Sequence, residues 1–246
     1  MSKIIVLVGP TATGKTDLSI LLAKKFNGEI INADSTQVYQ KFNIGTSKIK
    51  PEEMQSIKHH LMDFITEDQK YNIYHFQRDG RMAIKDIKNR HKTPIIVGGS
   101  GLYLKALLYD YDLKKTNQFR DLSNLSNEDI YQQLLKIDKN INISINNRQR
   151  LEGALNFYHQ NGFSISAQKG KNNPKYNLII IGLTCERKIL YERIMQKTDL
   201  MFKNGLLEEA NELYKMNPNN EVARSIIGYR ELYDYFDGKT DLESAI

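Results

Sequence analysis

Cysteine is nearly absent from this sequence. Cys185 stands alone, so no intramolecular disulfide can form and nothing argues for an oxidising compartment. Following a strand pattern, it is expected to be a buried small residue. No apolar run approaches the roughly 18 residues that a membrane-spanning helix needs. The start, MSKIIVLVGP, passes straight into a strand pattern and a glycine-rich loop, which is not the layout of a secretory signal. A cytoplasmic protein with no membrane partner is therefore expected, and a monomer. Internal repeats and low-complexity tracts are missing. Histidine is sparse, and only His59 and His60 adjoin. Neighbours point apart in a strand and diverge in a helix, and no cysteine or third histidine lies at ligand spacing, so zinc is not expected.

What is present suits a globular domain. The chain has 246 residues, 40% apolar and 26% charged, enough for one α/β domain with a small insertion. The formal charge is +6 and the isoelectric point about 9.1. That balance favours a polyanionic partner, although a Lys- and Asn-rich composition drifts basic on its own. The 14 tyrosines are scattered, a pattern of packing more than of base stacking.

Four short apolar runs read as buried parallel strands: Ile4–Val8, Glu29–Ala33, Pro94–Val97 and Leu178–Gly182. Between them, Asp17–Phe26 is expected to form a helix with Leu18, Leu21, Leu22 and Phe26 on one face. Tyr74–Asn89 is expected to do the same with Phe76, Met82, Ala83 and Ile87. Such alternation predicts a parallel sheet with helices on both faces and a ligand at the carboxyl ends of the strands. Residues 1–111 form the first part of this core. Residues 112–175 contain two helix-like stretches, 127–135 and 148–158, and no clear strand, so a helical insertion is expected. Residues 176–246 complete the core and continue as helices.

Gly9-Pro10-Thr11-Ala12-Thr13-Gly14-Lys15-Thr16 matches G-x-x-x-x-G-K-[ST] without a gap, after a strand and before a helix. Its glycines let backbone N–H groups turn onto phosphate oxygens, and the helix N-terminus adds partial positive charge. Lys15 is placed to neutralise the phosphates nearest the reacting bond, and Thr16 to hold Mg²⁺. A diphosphate or longer phosphate chain is the expected ligand. The second strand ends in Asp34. A carboxylate there can hold Mg²⁺ through water, serve as a general base, or merely cap a helix.

Several further stretches follow: Asp34-Ser35-Thr36-Gln37-Val38-Tyr39, Ile44-Gly45-Thr46-Ser47-Lys48, His59-His60-Leu61 and Gly98-Gly99-Ser100-Gly101-Leu102-Tyr103. Beyond them come Asn146–Arg150, Gly205–Glu209 and Ile227–Glu231. With the phosphate loop, they resemble in order and spacing the tRNA dimethylallyltransferases, also called tRNA isopentenyltransferases. The resemblance covers essentially the whole chain. It implies a P-loop nucleotide-kinase-like α/β fold with a helical insertion domain. It also implies transfer of a dimethylallyl group from dimethylallyl diphosphate to the exocyclic N6 amine of the adenosine 3′ of the anticodon in tRNA. On that resemblance Asp34 accepts the amine proton, Lys15 steadies the leaving diphosphate, and Ser100 stands where the family has a substrate-contacting threonine. Asp34, Ser35, Thr36 and Gln37, with Gln149, Arg150, Leu151, Glu152 and Gly153, are expected to contact the tRNA anticodon loop. Lys114, Lys115, Arg120, Arg148 and Arg150 are candidates for its backbone phosphates.

Three departures stand out. The chain ends at Ile246, where most bacterial members continue into a basic helix of the form T-R-x-[YL]-A-K-R-Q, so a weaker RNA grip is expected. Gly153-Ala154-Leu155-Asn156 replaces the family's R-A-[LI]-E, with a glycine inside a helix at a cost of about 1 kcal/mol. Lys197 stands where many members have arginine, keeping the charge without the planar fork. Two alternatives are a P-loop small-molecule or nucleoside kinase, with Arg148 or Arg150 on a lid, and a degenerate tRNA-binding copy without turnover.

Overall fold

The computed structural model describes residues 3–69, 71–111, 113, 120–167 and 173–246. The chain divides into two compact units, Met1–Leu108 with Pro174–Ile246 and Tyr109–Asn173. Lys114 and Lys115 lie outside the described residues.

In the first unit five parallel strands form one sheet, β1 (Ile4–Val8), β2 (Gly28–Asn32), β3 (His59–His60), β4 (Thr93–Gly98) and β5 (Leu178–Gly182), in the order β3-β2-β4-β1-β5. β1 pairs with β4 in the register Ile5 to Ile95 and with β5 in the register Ile4 to Leu178. Alternation splits the apolar strand residues between two faces. Ile5, Leu7, Ile30 and Ile95 pack with Ile20 and Ala23 of α1 (Lys15–Lys25). Ile4, Val6, Ile31 and Ile96 are as deeply buried on the opposite face, which belongs to α2 (Ile73–Asn89). The chain turns back on itself between the α1 and α2 crossovers, and right-handed connections then place the two helices on opposite faces. The expected sheet is therefore present.

Four sequence expectations need correction. α1 buries Ser19, Ile20 and Ala23 and leaves Leu21 and Phe26 exposed. α2 buries Phe76, Gln77, Gly80, Ile84 and Ile87, whereas Met82 is exposed. β5 is not fully buried, since it is an edge strand and exposes Ile179 and Ile180. Cys185 is half-buried rather than buried.

β3 is the strand that no apolar pattern announces. Its anchor is Glu29, whose side chain is only 2% exposed. Glu29 takes a two-pronged bond from Arg90 and further bonds from Lys92 at 2.9 Å and the His60 ring at 2.7 Å. The Arg90 bonds in particular hold its carboxyl well below the usual range, against the opposing effect of burial. A buried carboxylate demands such partners, and satisfying it fastens β3 to the sheet.

α3 (Gly101–Leu108) follows β4, and α6 (Arg187–Lys203), α7 (Leu206–Met216), α8 (Tyr229–Phe236) and α9 (Leu242–Ala245) follow β5. A second core joins Val38, Tyr39 and Phe42, just after β2, to Leu206, Ala210, Tyr229 and Tyr233. The second unit holds α4 (Asn127–Ile137) and α5 (Arg148–Asn161) around Ile130, Leu134, Leu151 and Leu155. Ser126 and Asp129 form a reciprocal capping box on α4, and Asn147 caps α5. Among the described residues no helix is long and apolar enough to cross a membrane.

Candidate functional site

A cleft of about 1340 Å³ opens at the carboxyl ends of the strands in the first unit. Its floor is the loop Gly9–Thr16, and Asp34, Ser35, Thr36, Gln37, Gly98 and Gly99 form a second side. α6 closes another through Ile194, Lys197, Thr198, Met201 and Phe202.

The phosphate loop is shaped before any ligand arrives. Gly9 has φ +153°, and a Cβ there would lie 2.5 Å from Leu183 O, so the turn admits no side chain. Ala12 holds φ 59°, a left-handed conformation that costs an L-residue about 1–2 kcal/mol. Thr13 Oγ1 braces the loop by donating to Pro10 O at 2.8 Å. No side chain caps the start of α1, so its leading N–H groups face the cleft as an anion site.

Three charged groups, Lys15, Asp34 and Lys197, line the cleft beside the loop. Lys15 Nζ reaches over the loop to Gly9 O at 2.8 Å and also donates to Pro10 O. Burial lowers its pKa, the positive charge of Lys197 lowers it further, and Asp34 opposes both. The Lys197 ammonium is likewise lowered by burial and raised by Asp34, and it lies 3.4 Å from Thr11 Oγ1. Arg193, one turn earlier on α6, reaches Ala12 O at 3.5 Å. Two cations and one carboxylate thus share the cleft with the loop. Arg193 was missed in the sequence. Its only signal was the four-residue spacing to Lys197, which puts both on one helix face.

Asp34 is tightly held. Its Oδ1 accepts the Thr36 N–H at 2.8 Å and the Thr36 hydroxyl at 2.6 Å. Among the described residues none donates to Oδ2. Thr16 lines the cleft with Asp34. A threonine hydroxyl beside a phosphate-binding loop suits Mg²⁺, which takes one or two protein oxygens and completes its shell with phosphate and water.

Ser35, Thr36 and Gln37 line the cleft, and Thr36 and Gln37 are engaged within the protein. Gln37 Nε2 donates to Thr46 O at 2.8 Å, leaving its carbonyl oxygen for a ligand. Ser100 does not line the cleft, whose wall ends at Gly99. It stands just before α3, where its carbonyl accepts the Leu104 N–H at 3.1 Å.

Two of the later motifs, Gly205–Glu209 and Ile227–Glu231, contribute to one brace. Glu209 accepts the N–H groups of Asn43 and Ile44 and the phenol of Tyr229, which in turn accepts the Gly45 N–H at 3.1 Å. A Cβ on Gly45 would lie 2.4 Å from the Tyr229 ring. Burial and the Glu209 charge push the Tyr229 phenol far above its ordinary pKa, so it stays a donor. Lys48 fastens the same loop through Tyr39 O at 2.8 Å and the Asp63 carboxylate.

In the second unit the expected RNA contacts separate by exposure. Gln149, Arg150 and Gly153 are exposed on α5, as is Arg120. Leu151 is fully buried in the α4–α5 core, so its side chain packs rather than contacts RNA. Glu152 pairs with Arg148. The Arg148 guanidinium also reaches Leu122 O and Leu125 O, so it is a structural clamp rather than a phosphate ligand or a lid arginine. Buried Asn156 donates to Arg120 O and accepts its N–H, which places Arg120 beside α5.

Residues 37–246 match a family model described as IPP transferase. The chain is 45% identical over 252 residues to a tRNA dimethylallyltransferase of Anoxybacillus flavithermus, spanning 99% of this chain and 81% of that protein. It is 44% identical over 247 residues to one of Phytoplasma australiense, spanning 100% and 82%. Among solved structures, it resembles a tRNA delta(2)-isopentenylpyrophosphate transferase of Staphylococcus epidermidis, with a TM-score of 0.73 and 37% identity over 100% of this chain and 84% of the other. It also resembles a eukaryotic dimethylallyltransferase acting on tRNA, with a TM-score of 0.84 and 31% identity over 100% of this chain and 65% of the other.

Proposed function

This chain belongs to the IPP transferase family, and we propose on that premise that it transfers a dimethylallyl group from dimethylallyl diphosphate to tRNA. The acceptor is the exocyclic N6 amine of the adenosine 3′ of the anticodon. The observation that carries this reading is the meeting, in one cleft, of a phosphate loop, two lysine ammoniums and a tethered carboxylate.

The amine is a poor nucleophile because its lone pair is delocalised into the ring. The allylic carbon is a good electrophile once diphosphate can depart. The loop N–H groups, Lys15 and Lys197 bind the diphosphate and stabilise the charge that grows on it as the carbon–oxygen bond breaks. Thr16 is the residue that would hold Mg²⁺, whose charge adds to that stabilisation. Asp34 takes the proton released as nitrogen bonds to carbon. The adenine must leave the anticodon-loop stack to reach this cleft, and the exposed residues Gln149, Arg150, Gly153 and Arg120 are assigned to RNA contact. A tRNA acceptor supports a cytoplasmic reaction.

The kinase alternative loses one of its two lid arginines, since Arg148 is tied within its own unit. The deciding experiment supplies labelled ATP with a panel of small acceptors and, separately, labelled dimethylallyl diphosphate with unmodified tRNA. Label should reach tRNA, and only from the prenyl donor. Phosphate transfer to a small acceptor would overturn the proposal.

A further inference from the structure

Asp34 is gripped by more groups than its turn requires. The Thr36 N–H on Oδ1 is what any turn opened by aspartate supplies. The Thr36 hydroxyl on the same oxygen is not. On the other flank the Asp34 N–H donates to Asn32 Oδ1 at 3.3 Å. Asn32 is buried and donates through Nδ2 to Leu61 O at 3.2 Å, so the backbone of Asp34 is fixed as well.

The neighbourhood explains why a tether matters. Lys15 and Lys197 both sense the Asp34 charge. An aspartate carboxylate rotates about a broad, weakly preferred torsion. Left free, it would turn toward these ammoniums and withdraw from the amine. Two donors on one oxygen, both from the same residue, fix the carboxylate plane and spend Oδ1.

We propose that Thr36 is a positioning residue for Asp34 rather than an RNA contact, its hydroxyl reserving Oδ2 as the proton acceptor. The inference rests on the prenyl-transfer reading above. In that step the amine nitrogen forms its bond to the allylic carbon, the carbon–oxygen bond breaks with its electron pair going to diphosphate, and the N–H proton passes to Oδ2. Thr36 gains and loses nothing in the step and only holds the acceptor in line.

The test is Thr36→Val, which keeps the branched shape and removes the hydroxyl, with Thr36→Ser to restore it. The readouts are kcat and KM for each substrate. Thr36→Val should lower kcat about tenfold, the equivalent of one hydrogen bond to a charged group. Both KM values should stay within about twofold. Thr36→Ser should recover most of kcat. Wild-type kcat in Thr36→Val would overturn the proposal. So would a raised KM for tRNA at unchanged kcat, which would make Thr36 an RNA contact, or a Thr36→Ser variant as impaired as Thr36→Val. Asp34→Ala, run alongside, separates the two levels. If it is inactive while Thr36→Val is unaffected, only the Thr36 proposal fails. If it is fully active, Asp34 is not the base and the reading beneath fails too.

Discussion

Replacing Tyr229 by phenylalanine removes one oxygen from the centre of the brace and almost no volume. The side chain is fully buried, so the loss comes through hydrogen bonds rather than a cavity. The phenol donates to Glu209 Oε1 and accepts the Gly45 N–H. A bond to a charged partner contributes about 1.5–3 kcal/mol, and a stranded buried N–H costs about 1–3 kcal/mol. Glu209 keeps its bonds from Asn43 and Ile44, which limits the damage on that side. The expected destabilisation is about 3 kcal/mol, roughly three times an ordinary net hydrogen bond. Urea unfolding should show a lowered midpoint at unchanged slope. Combining the change with Glu209→Gln should give a coupling energy of at least about 1 kcal/mol in a double-mutant cycle. The loop that Tyr229 holds also carries Thr46, whose carbonyl steadies Gln37, so kcat should fall with stability. A loss under about 0.5 kcal/mol, or no coupling to Glu209, would refute the view that these motifs exist to brace the cleft.

Two further outcomes follow from charge and backbone. The folded-state pKa values of Lys15 and Lys197 both lie below the ordinary 10.5, so their positive charge is present at low pH and is lost as pH rises through the lowered value. KM for dimethylallyl diphosphate should therefore climb at alkaline pH before free lysine would titrate. Lys197→Arg, which stays charged, should flatten that climb, and an identical pH profile would exclude Lys197 from diphosphate binding. Gly153 lies inside α5 with nothing within 4 Å of a built Cβ, so Gly153→Ala should raise stability by about 0.5–1 kcal/mol, visible as a higher urea midpoint. An unchanged or lower midpoint would mean that the glycine answers a need other than helix formation.

The phosphate loop and the main strands were legible because their signals are local. β-Branched runs mark buried parallel strands, and a gapless motif between a strand and a helix leaves little choice of geometry. His59–His60 carried no such signal. That strand exists because a buried carboxylate on β2, Glu29, collects Arg90, Lys92 and His60 from distant points in the chain. The face of α1 was misjudged because its apolar residues spread around the helix, and Ser19 rather than Leu21 turned inward. Gln37 and Glu209 read as family motifs, but their task depends on carbonyl and N–H groups of the 43–47 loop, which no spacing rule reaches. Leu151 sits in a run expected to face RNA. Helical periodicity alone turns it into the core between exposed Arg150 and half-buried Glu152.

The central claim is that the cleft holds a prenyl diphosphate and delivers its carbon group to one adenosine. The most direct measurement is mass spectrometry of nuclease-digested, initially unmodified tRNA after incubation with this protein, dimethylallyl diphosphate and Mg²⁺. The account predicts one added dimethylallyl group, on the adenosine immediately 3′ of the anticodon, and none with Asp34→Ala. Unmodified tRNA from the wild-type reaction, or a prenyl group on another nucleoside, would contradict it.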